Sequence, residues 1–155
     1  MSKNEQVKQL LFGSLAGAIG WTATEYISHR WLLHGPLGRM HRAHHRDPLA
    51  TNPFARAGGH LAIAAVAAVS AAVMIRVRPA FRVGATAAAA CWSGGYSTYE
   101  LLHWRAHHRP ARTDYGRRLR ERHMRHHFGA PQANLGVTIG WWDTIAGTQA
   151  APQRG

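Results

Sequence analysis

The chain has 155 residues, 19 Lys and Arg against 7 Asp and Glu, 12 histidines and one cysteine. That length suits a single domain, and with Cys91 alone neither an intrachain disulfide nor a thiolate-rich zinc or iron–sulfur site can form. A formal charge of +12 invites a nucleic-acid reading and a mean hydropathy of -0.27 a soluble one, but both are averages over a chain whose charges and apolar residues are strongly segregated.

From Gln9 to Ser28 the only formal charge is Glu25, and the run Leu10 to Trp21 is apolar enough to seed a membrane helix of about 20 residues. A second uncharged stretch lies between Arg56 and Arg76, apolar from Leu61 to Ile75 except for Ser70; a third, Ala-rich, lies between Arg82 and Glu100. These predict spans at 9–28, 57–75 and 83–102. The link Arg76 to Arg82 leaves room only for a tight turn around Pro79, so the second and third segments form a hairpin. Three crossings place residues 29–55 and 103–155 on one side, which carries fourteen arginines against Lys3, Lys8, Arg76, Arg78 and Arg82 opposite. The positive-inside rule makes that side cytoplasmic. The first segment runs on into Glu25 and His29 without a small-residue cleavage site and is expected to be retained. The expected fold is an all-α integral membrane protein, one domain over 1–155, with about three transmembrane helices and a cytoplasmic helical cap over 29–55 and 103–148. Its basic residues then line anionic headgroups, and no nucleic-acid partner is expected.

Eleven of the twelve histidines fall in the two cap windows; His60 is the exception. The first window holds His29 and His34, spaced His-x4-His, then His41, His44 and His45, spaced His-x2-His-His. The second holds His103, His107 and His108, then His123, His126 and His127, again His-x2-His-His. Residues three and four apart share a helix face, so each His-x2-His-His is expected to aim three imidazoles at one centre. The two helices look like copies of one device: Pro36 can begin the first, which stops at Asp47-Pro48, and Thr113 or Asp114 can cap the second, which stops at Gly129. Leu37 and Leu119 stand four residues before His41 and His123 and complete the inward stripe.

Ten or eleven inward imidazoles would repel one another if protonated and would be costly if dry and unpaired, whereas metal ions satisfy them. Two metals with about five nitrogens each use the set. Imidazole suits iron, zinc, copper and nickel, so the ligand type does not choose the metal. Glu25 precedes His29, and Glu100 precedes His103, by about one turn, positions from which each carboxylate can accept the far ring N–H of a ligating imidazole; Asp143 is a third such residue.

These residues resemble the membrane-bound fatty acid hydroxylase/sterol desaturase superfamily, to which carotenoid hydroxylases are related. The stretches that carry the resemblance are Glu25 to Gly35, Met40 to His45, Tyr99 to His108 and His123 to Phe128, with a tail from Asn134 to Thr148 that looks like the family's closing segment. The resemblance implies a dimetal site that activates O2 and hydroxylates an aliphatic C–H bond of a lipid, fatty acyl or sterol-like. Carotenoid hydroxylation and lipid desaturation are the alternatives within the superfamily. It also implies His29, His34, His41, His44, His45, His103, His107, His123, His126 and His127 as ligands, with His108 an extra histidine able to exchange roles with His107. The implied cofactors are two iron ions, replaceable by zinc on purification, with O2 as co-substrate. Larger members carry four spans and sometimes a fused haem-binding domain; at this length electrons are expected from a separate electron-transfer protein, for which the arginine-rich face is a dock. The rival of another class is a non-catalytic histidine-rich membrane metal-binding protein.

Overall fold

The computed structural model describes residues 1–36, 38–50 and 52–150. Helices account for most of them: α1 (Lys3–Ile27), α2 (Gly38–Arg46), α3 (Pro53–Val77), α4 (Arg82–His108), α5 (Asp114–Phe128) and the short α6 (Trp141–Ile145). No strand occurs among the described residues, in line with the all-α expectation. The chain divides into two compact units, each assembled from two pieces: Met1–Trp21 with Asn52–Thr98, and Thr22–Thr51 with Tyr99–Gly155.

The first unit is built on close helix contact. Gly13 of α1 lies against the backbone of Gly84 in α4, and Gly17, one turn on, against that of Ala88, with no room for a Cβ at either glycine. Small residues four apart let two backbones approach in this way. The Gln9 amide ties the end of this contact, donating to the Ala80 carbonyl at 2.7 Å and accepting from the Gly84 N–H at 3.4 Å. As expected from Pro79, α3 stops at Val77, a single 3-10 turn covers Pro79–Phe81, and α4 begins at Arg82. Proline suits the start of that turn because its missing N–H has no partner there to lose. Farther along, the Trp21 ring meets Trp92 and Tyr96 edge-on, with centroids 5.7 and 5.5 Å away.

Apart from buried Trp21, many of this unit's large apolar side chains are exposed: Leu11 and Phe12 on α1 and Leu61 on α3 are 65%, 65% and 72% exposed. Helix α3 is the one described helix long and apolar enough to cross a membrane, over Arg56–Val77, with 6% of its apolar window buried. The other two expected spans, 9–28 and 83–102, do form long helices. Their Gly, Ser, Thr and Tyr residues, with Glu25 in α1, dilute them below that composition.

In the second unit the termini of α5 are where the sequence places them. The Thr113 hydroxyl accepts from the Gly116 N–H at 3.1 Å, and the helix ends at Gly129. Helix α2 begins at Gly38, two residues after Pro36, and ends at Arg46 just ahead of Asp47-Pro48. Leu119 is buried as its place in the stripe requires, while its counterpart Leu37 lies outside the described residues.

The glycine contact yields a test. Gly17→Ala forces a Cβ into the α4 backbone and is expected to cost about 1–3 kcal/mol, as overpacking does. Gly58→Ala, on α3 with nothing within 4 Å, is expected to leave stability unchanged or raise it. Thermal unfolding of the detergent-solubilised variants measures both; equal Tm values would refute the close contact.

Candidate metal centre

Four helical segments of the second unit bring the histidines together. Immediately after α1 the chain makes a wide π-helical turn over Ser28–Leu33, closed by the His34 N–H on the His29 carbonyl at 3.2 Å. This turn has a specific use. Five residues of α-helix advance about 500°, which leaves a His-x4-His pair about 140° apart, whereas the i to i+5 turn brings the rings of His29 and His34 into a near-parallel stack at 5.1 Å. Helices α2, α4 and α5 supply the rest.

Ten imidazoles form two groups of five. One comprises His29, His34, His41, His45 and His126, the other His44, His103, His107, His123 and His127, and within each group one nitrogen per ring lies within 4.8 Å of the others. Each His-x2-His-His is therefore divided between the groups, contrary to the expectation that its three rings share one centre. Helix α2 gives His41 and His45 to the first group and His44 to the second; α5 gives His123 and His127 to the second and His126 to the first. The reason is angular. Residues four apart differ by about 40° around a helix, but neighbours such as His44 and His45 differ by about 100° and cannot point at the same place. The groups adjoin, with the His45 and His127 rings stacked at 4.1 Å.

Their geometry fits metal ions and little else. In the first group the Nε2 of His41 lies 2.9, 3.1 and 3.0 Å from the Nε2 atoms of His29, His34 and His45, and that of His34 lies 3.3 Å from His126. A neutral imidazole nitrogen has either one hydrogen or one lone pair, so it cannot satisfy three such neighbours. Moreover, His29 turns its Nδ1 to the Leu135 carbonyl at 2.6 Å and His126 its Nδ1 to the Ala133 carbonyl at 2.9 Å. A carbonyl only accepts, so both Nδ1 atoms carry the proton and both Nε2 atoms bring bare lone pairs to the cluster. In the second group the closest pairs are His44 with His103 at 2.9 Å and His123 with His107 at 2.8 Å. Both ring nitrogens of buried His127 and the Nδ1 of His123 have no hydrogen-bond partner among the described residues. Nitrogens bound about 2.1 Å from one ion and about 90° apart lie about 3.0 Å from each other, which is the spacing seen.

Burial, and then the neighbouring imidazoles, hold these rings neutral: His45 and His107 are lowered to about 4, and His29, His103 and His123 fall well below the ordinary histidine value. Burial dominates at His126 too, lowered to about 3 against the opposing pull of its backbone hydrogen bond.

The remaining expected residues fall as follows. His108 stands outside both groups; its Nδ1 meets the Trp104 carbonyl at 2.9 Å and its ring stacks on Trp104. Glu25 does not serve the His29 ring, whose Nδ1 is taken by Leu135. Its carboxylate instead receives the N–H groups of Val137 and Thr138 at 2.5 and 2.9 Å and the Thr138 hydroxyl. Glu100 lies half-buried on α4 ahead of His103, whose ring stacks on Tyr99 at 5.4 Å. Asp143 is fully buried and accepts from the N–H groups of Leu135 and Gly136 at 2.8 and 2.9 Å, the Thr148 hydroxyl at 2.8 Å and Arg122 at 3.1 Å. The Ala133 and Leu135 carbonyls escaped the sequence reading because backbone acceptors carry no residue signature. The one local signal is Asn134 between them, a residue that tolerates the left-handed conformation it adopts (φ 54°).

A helical scaffold that gathers ten imidazoles into two adjoining groups of five has the donor set to hold a metal ion at each. A sequence model of the fatty acid hydroxylase family matches residues 14–148, and the chain belongs to that family. Two dihydroceramide fatty acyl 2-hydroxylases of Arabidopsis thaliana are 26% and 27% identical to it over 146 residues, 85% of this chain and 58% of theirs. Among solved structures, the hydroxylase domain of full-length Scs7p shares the fold, with a TM-score of 0.68 at 24% identity, covering 97% of this chain and 63% of that one. The chain thus spans somewhat under two thirds of these relatives.

The lowered histidines set a pH dependence for the metal-free protein. Unfolded, these imidazoles take up protons near pH 6.5; folded, His45 and His107 do so only near pH 4 and His126 near pH 3. Between those values the unfolded state binds more protons, so stability is full above pH 6.5 and falls as the pH drops through the window. Tm of the metal-stripped protein is expected to decline from pH 6.5 to pH 4; a flat profile would show that the rings are not held dry.

Proposed function

We propose that this chain is an O2-dependent hydroxylase that inserts oxygen into an aliphatic C–H bond of a lipid, with two iron ions held by the ten clustered histidines. The observation that carries the reading is the pair of adjoining five-nitrogen groups in a chain of the fatty acid hydroxylase family. The first ion is held by His29, His34, His41, His45 and His126, the second by His44, His103, His107, His123 and His127. Iron, when bound, supplies the redox cycle needed to reduce O2, which zinc lacks. The chain's own part is to keep the imidazoles neutral by burial, to orient them through outer hydrogen bonds, and to keep water from the reacting carbon. The activity named for the Arabidopsis relatives favours a long acyl chain of a sphingolipid-like lipid over a sterol-like ring.

The outward apolar faces of α1 and α3 support a membrane setting, because so many large exposed side chains would each be unfavourable in water. In this reading α1 and the hairpin of α3 and α4 make three crossings, and the arginine-rich side bearing the site faces the cytoplasm, where a separate electron-transfer protein delivers electrons.

Metal analysis with an activity assay tests this. Anaerobically purified protein is expected to hold about two irons per chain and, given a reductant and 18O2, to leave one labelled oxygen in extracted lipid, read by mass spectrometry. His44→Ala and His126→Ala are each expected to lose about one metal and all activity, and His107→Ala likewise, whereas His108→Ala and His60→Ala keep both metals. Tightly held metal with no O2 consumption under reduction would favour a non-catalytic metal protein; a labelled alkene-free alcohol, against an unlabelled alkene, separates hydroxylation from desaturation.

A further inference from the structure

The two groups of histidines differ in what stands behind them. In the first, His29 and His126 are both locked by backbone carbonyls two residues apart, Leu135 and Ala133. That short segment has no regular secondary structure to hold it. It is held by side chains: Asp143 takes the N–H groups of Leu135 and Gly136, Arg122 bridges the Gly136 carbonyl at 2.8 Å and Asp143 at 3.1 Å, and Glu25 takes the next two N–H groups, of Val137 and Thr138. Asn134, buried between the two carbonyls, donates to the Arg122 carbonyl at 3.3 Å and pairs its N–H with the Thr148 carbonyl at 2.8 Å. Thr148 in turn gives its N–H to the Asp143 carbonyl and its hydroxyl to the Asp143 carboxylate, both at 2.8 Å. In the second group nothing comparable stands behind His123 and His127, whose buried Nδ1 atoms lack partners among the described residues.

We infer that Asp143, with Arg122 and Glu25, is a positioning residue for one metal only: it clamps the 133–138 segment so that its carbonyls fix the tautomer and aim of His29 and His126, making the first group the tighter metal position. Asp143 reaches no imidazole itself; its effect passes through two peptide groups. A carboxylate is required because four donors converge on its two oxygens, and an asparagine of the same shape offers one acceptor oxygen and two hydrogens that clash with the N–H groups it would face. Loss of an outer partner of a ligating imidazole weakens metal binding about 10–100-fold, and here that loss falls on one site of two.

This inference rests on the two-metal reading, and its test separates the two. The protein, loaded with Co2+ in detergent under anaerobic conditions, is challenged with excess EDTA while its visible absorption and metal content are followed. The wild type is expected to release its cobalt in two phases of equal size, with His44→Ala retaining only the slow phase and His126→Ala only the fast one. Asp143→Asn is expected to speed the slow phase about 10–100-fold, to shift the absorption bands of the half-depleted protein, and to leave the fast phase within about twofold. Thr148→Val, which removes one donor from Asp143 and leaves the carboxylate, is expected to move the slow phase in the same direction by less. Fewer than two cobalt ions in the fully loaded wild type overturns the two-metal reading itself. Two ions released in one phase, or both phases accelerated alike in Asp143→Asn and Thr148→Val, overturns the clamp and leaves that reading standing.

Discussion

Ten imidazole nitrogens meet in two small volumes, and most of this unit's peculiarities follow from the need to keep their lone pairs bare and aimed. A lone pair facing a lone pair is repulsive, and protonation, the usual relief, is blocked by burial: His29, His123 and His126 are between 0% and 2% exposed. Such a cluster is stable only if cations occupy it or if the surrounding fold holds it open. The surrounding fold visibly does the latter, through a π-helical turn, capped helix ends and a tail tied down at several points.

The exchange of one histidine between α2 and α5 gives the arrangement its economy. Each helix binds its own group with the first and last members of His-x2-His-His and lends the middle one to the other group. Neither group is complete without both helices, so occupancy of the groups and docking of α2 against α5 depend on each other. A metal ion held by either group would in that sense contribute folding free energy as well as fill the site.

Charge plays a narrower part than the composition implies. Asp143 and Arg122 form an ion pair at 3.1 Å with the carboxylate fully buried, a pairing that would be costly if the carboxylate did not also receive two backbone N–H groups and a hydroxyl. By contrast, the exposed pair of Lys8 with Glu5 contributes little. The buried carboxylates are spent on the backbone of the tail rather than on the imidazoles, and through that backbone they reach the histidines.

The sequence by itself determined the helical class, the hairpin turn at Pro79, the Thr113 and Gly129 ends of α5, and eleven candidate histidines with His108 among them, because each rests on local chemistry: an N–H that proline lacks, a hydroxyl that caps, a short recurring spacing. It also carried the family resemblance, since the histidine spacing is itself the signature. Only the tertiary structure decided which histidine joins which group, that His107 and not His108 turns inward, that a π turn rescues the five-residue spacing of His29 and His34, and that Glu25 and Asp143 serve the tail. Those outcomes depend on the direction in which a side chain leaves its helix and on two backbone carbonyls, Leu135 brought to His29 from 106 residues away and Ala133 to His126 from 7. A carbonyl belongs to every residue alike, so the residue types offered no more than Asn134 to mark the two that flank it.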